Sequence, residues 1–244
     1  MTLDRRALLA GALAAPLAAG AARADVWEDL NKRGLLTDPA GLGRYREENA
    51  RLLASRAPVD IVFMGDSITE RWKAKRPGFF RSGRVCRGIS GQTTPQMLLR
   101  MMADVIALKP HAVHIMAGTN DVAGNTGPMT AEMSEDNFRA MTAIARQYRI
   151  QVQLASIPPA GSFPWRPAVE TRRPIATLNA WLRGFAHETG ATWVDYGAVL
   201  DDGRGAMKPG LAYDGVHPTE AGYDAMAAVI EPILARLPHA RRRR

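Results

Sequence analysis

Apolar residues recur along the chain in two alternating patterns. Short runs, at Val59 to Met64, Arg84 to Ile89, Ala112 to Met116, Ile150 to Ser156 and Ala191 to Val194, have the length and side chains of buried strands. Longer stretches with apolar residues three and four positions apart lie around Gly43 to Ser55, Pro95 to Leu108, Ser134 to Tyr148, Arg172 to Glu188 and Thr219 to Arg236. The last is the best defined: Thr219 suits a helix N-cap, and Ala225, Met226, Val229 and Ile230 make the apolar stripe behind it. Strand alternating with helix predicts an α/β fold in which a parallel sheet is covered on both faces. Such a sheet carries its ligand loops at the carboxyl ends of its strands, where Gly91 and Gly118 stand.

Composition changes this picture mainly at the ends. With 244 residues, 46% apolar and 23% charged, the chain can bury a full core, and disorder throughout is excluded. No linker or internal repeat divides it, so residues 25–240 read as one domain. The net charge of +8 would suggest a nucleic-acid partner if it lay on the folded body. Most of it does not: Arg5, Arg6 and Arg23 outweigh Asp4 near the start, and Arg241 to Arg244 form a solvated basic tail. A nearly neutral body gives little electrostatic reason to expect DNA or RNA. Arg5 and Arg6, the Ala/Leu run from Ala7 to Ala19 and Ala22-Arg23-Ala24 read as a cleavable export signal over residues 1–24, the paired arginines pointing to the twin-arginine route. The expected location is periplasmic or secreted. The run is too short and alanine-rich to span a bilayer and no later segment qualifies, so no stable membrane insertion is expected. A single cysteine, Cys86, rules out an intrachain disulfide and any multi-cysteine metal site. Oligomeric state has no signature in the sequence.

Four strand-end loops could carry chemistry. The first strand runs into Gly65-Asp66-Ser67-Ile68-Thr69, which puts Ser67 at a strand-to-helix junction where early helical amides lack partners. Either Asp66 or Ser67 caps the helix there, or Ser67 is a nucleophile; the G-x-S-x-G elbow is absent, because Thr69 replaces its second glycine. A serine needs a base, and among five histidines only His217 lies in a suitable loop, Asp214-Gly215-Val216-His217-Pro218, just before the final helix. A turn there can bring Asp214 onto Nδ1 and leave Nε2 for the serine proton; the same spacing fits a metal pair, although no third ligand stands nearby. The loops Ser90-Gly91-Gln92 and Gly118-Thr119-Asn120-Asp121 offer a backbone N–H at Gly91 and a side-chain amide at Asn120. After the fourth strand, Phe163 and Trp165 sit in a proline-rich loop that forms either an aromatic wall for substrate or a clamp over the sheet edge, whereas Trp72 belongs to the core.

Taken together and in order, these blocks resemble the GDSL-type, or SGNH, hydrolase family, named for a serine, glycine, asparagine and histidine on four loops. The matching positions are Ser67, Gly91, Asn120 and His217 with Asp214, and the resemblance runs from about Val59 to the final helix. Ile68 stands where the family motif has leucine, a near-isosteric change. The resemblance implies a three-layer α/β/α sandwich with a five-stranded, parallel, flavodoxin-like sheet, and hydrolysis of carboxylic esters with no metal and no cofactor. It further implies that Ser67 is the nucleophile, His217 the base and Asp214 its orienting carboxylate, with the N–H groups of Ser67 and Gly91 and the Asn120 amide as oxyanion donors. The expected partner is a small-molecule or carbohydrate ester, most simply one with a short acyl group such as acetyl. A lysophospholipase- or thioesterase-like acylhydrolase and a non-catalytic carbohydrate-binding module on the same fold are the competing readings. A phosphate cradle at Gly65 to Thr69 is disfavoured by the acidic Asp66 and the absence of the P-loop pattern.

Overall fold

Five strands form one parallel sheet in the computed structural model, which describes residue 28 and residues 36–81 and 83–237. The proposed export signal and the basic tail lie outside the described residues. Backbone contacts divide the chain into two units, Met1–Gly41 and Leu42–Arg244, and the sheet and its helices all belong to the second. In chain order the elements are α1 (Arg46–Ser55), β1 (Ile61–Gly65), α2 (Ser67–Lys75), β2 (Arg84–Gly88), α3 (Thr94–Asp104), β3 (Ala112–Met116), α4 (Thr119–Val122), α5 (Ala131–Gln147), β4 (Gln151–Ala155), α6 (Arg172–Thr189), β5 (Thr192–Val194), α7 (Gly197–Leu200) and α8 (Glu220–Leu234).

The strand order is β2-β1-β3-β4-β5, the flavodoxin-like order. Ile61 of β1 is in register with Arg84 on one side and Ala112 on the other, so the carboxyl ends of β1, β2 and β3 finish level at Gly65, Gly88 and Met116. Every residue of β1 and β3 is buried, because helices cover both faces and leave no polar side for alternation to mark. α2 packs on β1 and β2 and meets α8 on one face; α5 and α6 pack on β4, and α3 on α5, on the other. The architecture is therefore the three-layer α/β/α sandwich.

Two expected helices changed at their ends for visible reasons. The stretch Pro95 to Leu108 is α3 followed by a 3-10 turn at Ile106–Leu108, and since Ile106 and Leu108 stay buried across the break, the apolar pattern runs on without interruption. Lys109, next to Pro110, then leaves the helix in a left-handed conformation at φ 51°. α5 starts three residues before Ser134, capped by the Thr130 side chain, which accepts from the Met133 N–H at 3.3 Å.

The core beneath the ends of β1 and β2 is aromatic and tightly closed. Trp72 of α2 is fully buried, stacked between Phe79 and Tyr223 at ring separations of 4.5 and 5.7 Å, and edge-on to Phe63 of β1 at 6.0 Å. Tyr223 also donates from its hydroxyl to the Ile68 carbonyl at 2.8 Å, tying α8 to the first turn of α2. That bond joins the helix following His217 to the helix that begins at Ser67.

Candidate active site

The strand order reverses between β1 and β3, and a parallel sheet opens a crevice at that point, outside the carboxyl ends of its strands. Ser67 follows β1 and Asn120 follows β3, so both border the crevice. Gly65 is required at the end of β1 because a Cβ there would lie 2.1 Å from Thr69 Oγ1 and 2.9 Å from the Met116 carbonyl. Asp66 then caps α2, its Oδ1 accepting from the Ile68 N–H at 2.9 Å. With the capping done by Asp66, the Ser67 hydroxyl is left for another partner.

That partner is His217: Oγ and Nε2 are 2.9 Å apart across 150 positions of sequence. The other ring nitrogen, Nδ1, lies 2.7 Å from Asp214 Oδ2. Asp214 organises the whole turn, since its Oδ1 also accepts from the N–H groups of Val216 at 3.0 Å and His217 at 2.8 Å. Burial works against its charge, but these backbone donors and the imidazole prevail and hold the carboxyl below the usual carboxylate range. An ionised Asp214 keeps the proton on Nδ1 and the lone pair of Nε2 toward the serine. The loop is closed from outside by an antiparallel bridge between Ala212 and Pro218 and by the Tyr213 N–H on the His217 carbonyl at 2.9 Å.

Three amide groups were expected near the serine. Ser67 N–H opens α2 and has no intrahelical partner. Gly91 adopts φ 78°, a left-handed conformation that favours glycine, and a Cβ there would meet nothing within 4 Å, so the loop is open at this point. Asn120 is 3% exposed, and its Nδ2 donates to the Gln92 carbonyl at 3.0 Å and, at 3.3 Å, to Asp66 Oδ2. Asp66 is fully buried, which together with nearby Asp121 pushes its carboxyl up to about 7 against the pull of the Ile68 N–H and Arg100.

The sequence pattern did not assign several residues that hold these loops. Asp121 accepts from Thr94 N–H and Oγ1 and from Ser134 Oγ at 3.1 Å, fastening α4 to the starts of α3 and α5. Arg100, buried in α3, donates to the Gly65 carbonyl at 2.9 Å and to Gln92 Oε1 at 2.6 Å, bracing the first two loops from behind. Its i,i+4 spacing from Asp104, with which it pairs at 3.1 Å, was the available signal; the contacts to Gly65 and Gln92 had none.

Phe163 and Trp165 part company. Trp165 is 41% exposed and its ring centroid stands 6.3 Å from that of His217, at the rim of the site. Phe163 is fully buried and stacks on Trp165 at 5.2 Å, so it presents no face to a bound molecule and instead backs the indole.

A family model for the GDSL-like lipase/acylhydrolase family matches residues 63–225, which spans all four loops. The chain belongs to this family. A solved GDSL-like lipase from Bacteroides thetaiotaomicron is 40% identical, with 81% of this chain and 98% of that chain covered and a TM-score of 0.76. A Bacteroides fragilis protein is 38% identical over 82% of this chain and 98% of its own, with a TM-score of 0.77. A curated relative, an acetylxylan esterase from Geobacillus stearothermophilus, is 26% identical over 68% of this chain and 90% of its own length. As a GDSL-like acylhydrolase, the chain is a carboxylic ester hydrolase. No helix among the described residues is long and apolar enough to cross a membrane.

Proposed function

We propose that this esterase works through an acyl-enzyme on Ser67 and removes short acyl groups, acetyl above all, from a small or carbohydrate-linked alcohol. The observation that carries the mechanism is the pair of contacts at His217, 2.9 Å to Ser67 Oγ and 2.7 Å to Asp214 Oδ2. Nε2 takes the serine proton as Oγ attacks the ester carbonyl, and gives it to the departing alkoxide. The N–H groups of Ser67 and Gly91 and the Asn120 amide hold the tetrahedral oxyanion, Asn120 giving up the longer of its two bonds, that to Asp66. Water, deprotonated in turn by His217, then releases the acid.

The acetyl and carbohydrate parts of the reading are supported by the acetylxylan esterase relative and by the Trp165 face beside the base, a surface on which a sugar ring can stack. Residues 1–24 are, on this reading, an export signal that delivers a single hydrolase domain to the periplasm or beyond.

Ser67→Ala tests the mechanism. Turnover of p-nitrophenyl acetate is expected to fall at least about 10³-fold with the thermal midpoint unchanged, and a rapid quench of the parent should leave an acetyl group on the Ser67 peptide. Parent-like activity in the variant would end the serine mechanism. A panel of acetyl, butyryl and octanoyl esters beside acetylated xylo-oligosaccharides tests the substrate: the acetyl esters should lead, and a preference for octanoyl esters or lysophospholipids overturns this part.

A further inference from the structure

Beside the catalytic loops runs a chain of side-chain amides that starts at an exposed indole. Trp165 Nε1 donates to Asn125 Oδ1 at 3.0 Å; Asn125 Nδ2 donates to Asn120 Oδ1 at 2.6 Å; Asn120 Nδ2 donates to the Gln92 carbonyl at 3.0 Å. The two ends have fixed polarity, because an indole N–H can only donate and a backbone carbonyl can only accept. Facing the indole, Asn125 must present its oxygen and therefore turn its NH₂ toward Asn120. Asn120 must in turn accept through its oxygen and aim its own NH₂ toward Gln92 and the site. Both ends thus enforce one orientation of both amides, and bonds arranged head to tail polarise one another.

We propose that Asn125 is a positioning residue for the oxyanion donor, and that the Asn125–Trp165 bond links the rim on which the alcohol half of the substrate rests to the amide on which the oxyanion forms. The proposal rests on the acyl-enzyme reading, in which Asn120 is such a donor. Asn125 is well placed to hold that amide, because its own N–H bonds the Asn120 carbonyl at 3.0 Å and the two residues are joined through backbone and side chain alike. The indole is held in turn by Phe163 stacked beneath it, and the neighbouring Arg166 anchors the loop on the Gly124 carbonyl at 3.3 Å. Because Trp165 is partly exposed next to His217, an alcohol moiety seated on it presses on the first member of the chain.

Three substitutions separate positioning from mere support. Asn125→Asp preserves size and an acceptor for the indole but sets a carboxylate oxygen against Asn120 Oδ1, so the Asn120 amide turns over and offers oxygen where the oxyanion develops. Asn125→Leu removes both bonds without inverting anything. Trp165→Phe keeps an aromatic ring, smaller than the indole, and deletes the N–H. The kcat on p-nitrophenyl acetate is expected to fall about 10²-fold in Asn125→Asp, about tenfold in Asn125→Leu and about threefold in Trp165→Phe, with KM within about threefold of the parent. Affinity for phenylboronic acid, whose tetrahedral adduct on Ser67 mimics the intermediate, should drop in proportion to kcat/KM. If Asn125 only supports the loop, the order of the first two reverses, since aspartate is the closer mimic, and boronate affinity stays level; either result overturns the proposal. Should Asn125→Asp fail to fold, parent-like kcat and boronate affinity in Trp165→Phe overturn the link to the rim. Ser67→Ala, measured alongside, isolates the outcomes: activity there sinks the acyl-enzyme reading, whereas an inactive Ser67→Ala with parent-like Asn125 variants sinks the positioning role alone.

Discussion

At the scale of the residue, Asp214 has two roles that one substitution can pull apart. Its Oδ1 shapes the turn through the N–H groups of Val216 and His217, and its Oδ2 orients the imidazole. In Asp214→Asn the amide oxygen keeps the turn while the NH₂ faces Nδ1, which forces the ring proton onto Nε2 and leaves nothing to accept from Ser67. The expected result is a fall in kcat of about 10³-fold or more with little change in melting temperature; a loss under about tenfold would show that the carboxylate does not orient the base. The types of the residues in this loop were legible from sequence, because an Asx turn is made by groups two or three positions apart. Asn125 was not, because what marks it is a contact with Asn120, and a short polar side chain after a glycine has many ordinary uses; Asp66 was legible as a helix cap but not as a partner of Asn120.

At the scale of the element, the serine and the imidazole are carried by different helices, α2 and the segment leading into α8. The Tyr223 hydroxyl bond to the Ile68 carbonyl and the stack of Tyr223 on Trp72 hold those helices together. Tyr223→Phe keeps the stack and removes the bond. It is expected to cost about 1 kcal/mol, seen as a melting temperature lower by about 2–4 °C, with kcat reduced by less than about fivefold. An unchanged melting temperature would mean that the aromatic stack alone sets the helix pair. Strand positions could be read almost to the residue, since a fully covered parallel sheet leaves unbroken apolar runs. Helix ends were less visible where the apolar stripe continued into a 3-10 turn, and α2 could be read only as a junction after Ser67.

At the scale of the molecule, two buried groups give opposite pH dependences to stability. His114 of β3 is fully buried between Phe63 and the Tyr196 hydroxyl, which lies 2.9 Å from Nε2, and burial pushes its pKa down to about 3. The unfolded chain takes up that proton near pH 6.5, so stability is present above this value and is lost as pH falls toward 3, by about 1.4 kcal/mol per unit within the window. Asp66 works the other way: the folded state keeps its proton up to about 7 and the unfolded chain releases it near 4, so its contribution is present in acid and lost as pH rises. Between about pH 4 and about pH 6.5, as the ordinary and shifted values set it, the two slopes offset each other. His114→Phe leaves the slope of Asp66 alone. Urea midpoints at about pH 7 and about pH 4.5 should show the variant closing its stability gap to the parent as pH falls, and a constant gap would exclude the histidine as the acid-sensitive group.

The order of the strands and of the longer helices that follow them, the types of the candidate site residues and the sequence in which their loops occur were legible in the chain read alone, because each depends on periodicity or on bonds spanning a few residues. What only the tertiary structure decided is how those loops meet. The 2.9 Å approach of Ser67 to His217 closes 150 positions of chain, and it depends on the reversal of strand order between β1 and β3 and on the packing of α8 against α2. The same holds for Phe163 and Trp165, two neighbouring aromatics of equal promise in the sequence, of which one is buried and the other faces the site. It holds as well for the direction of the Asn120 amide, set through Asn125 by the indole of a distant loop. Local rules assign a side chain its backbone; which neighbours it then meets is settled when the layers close.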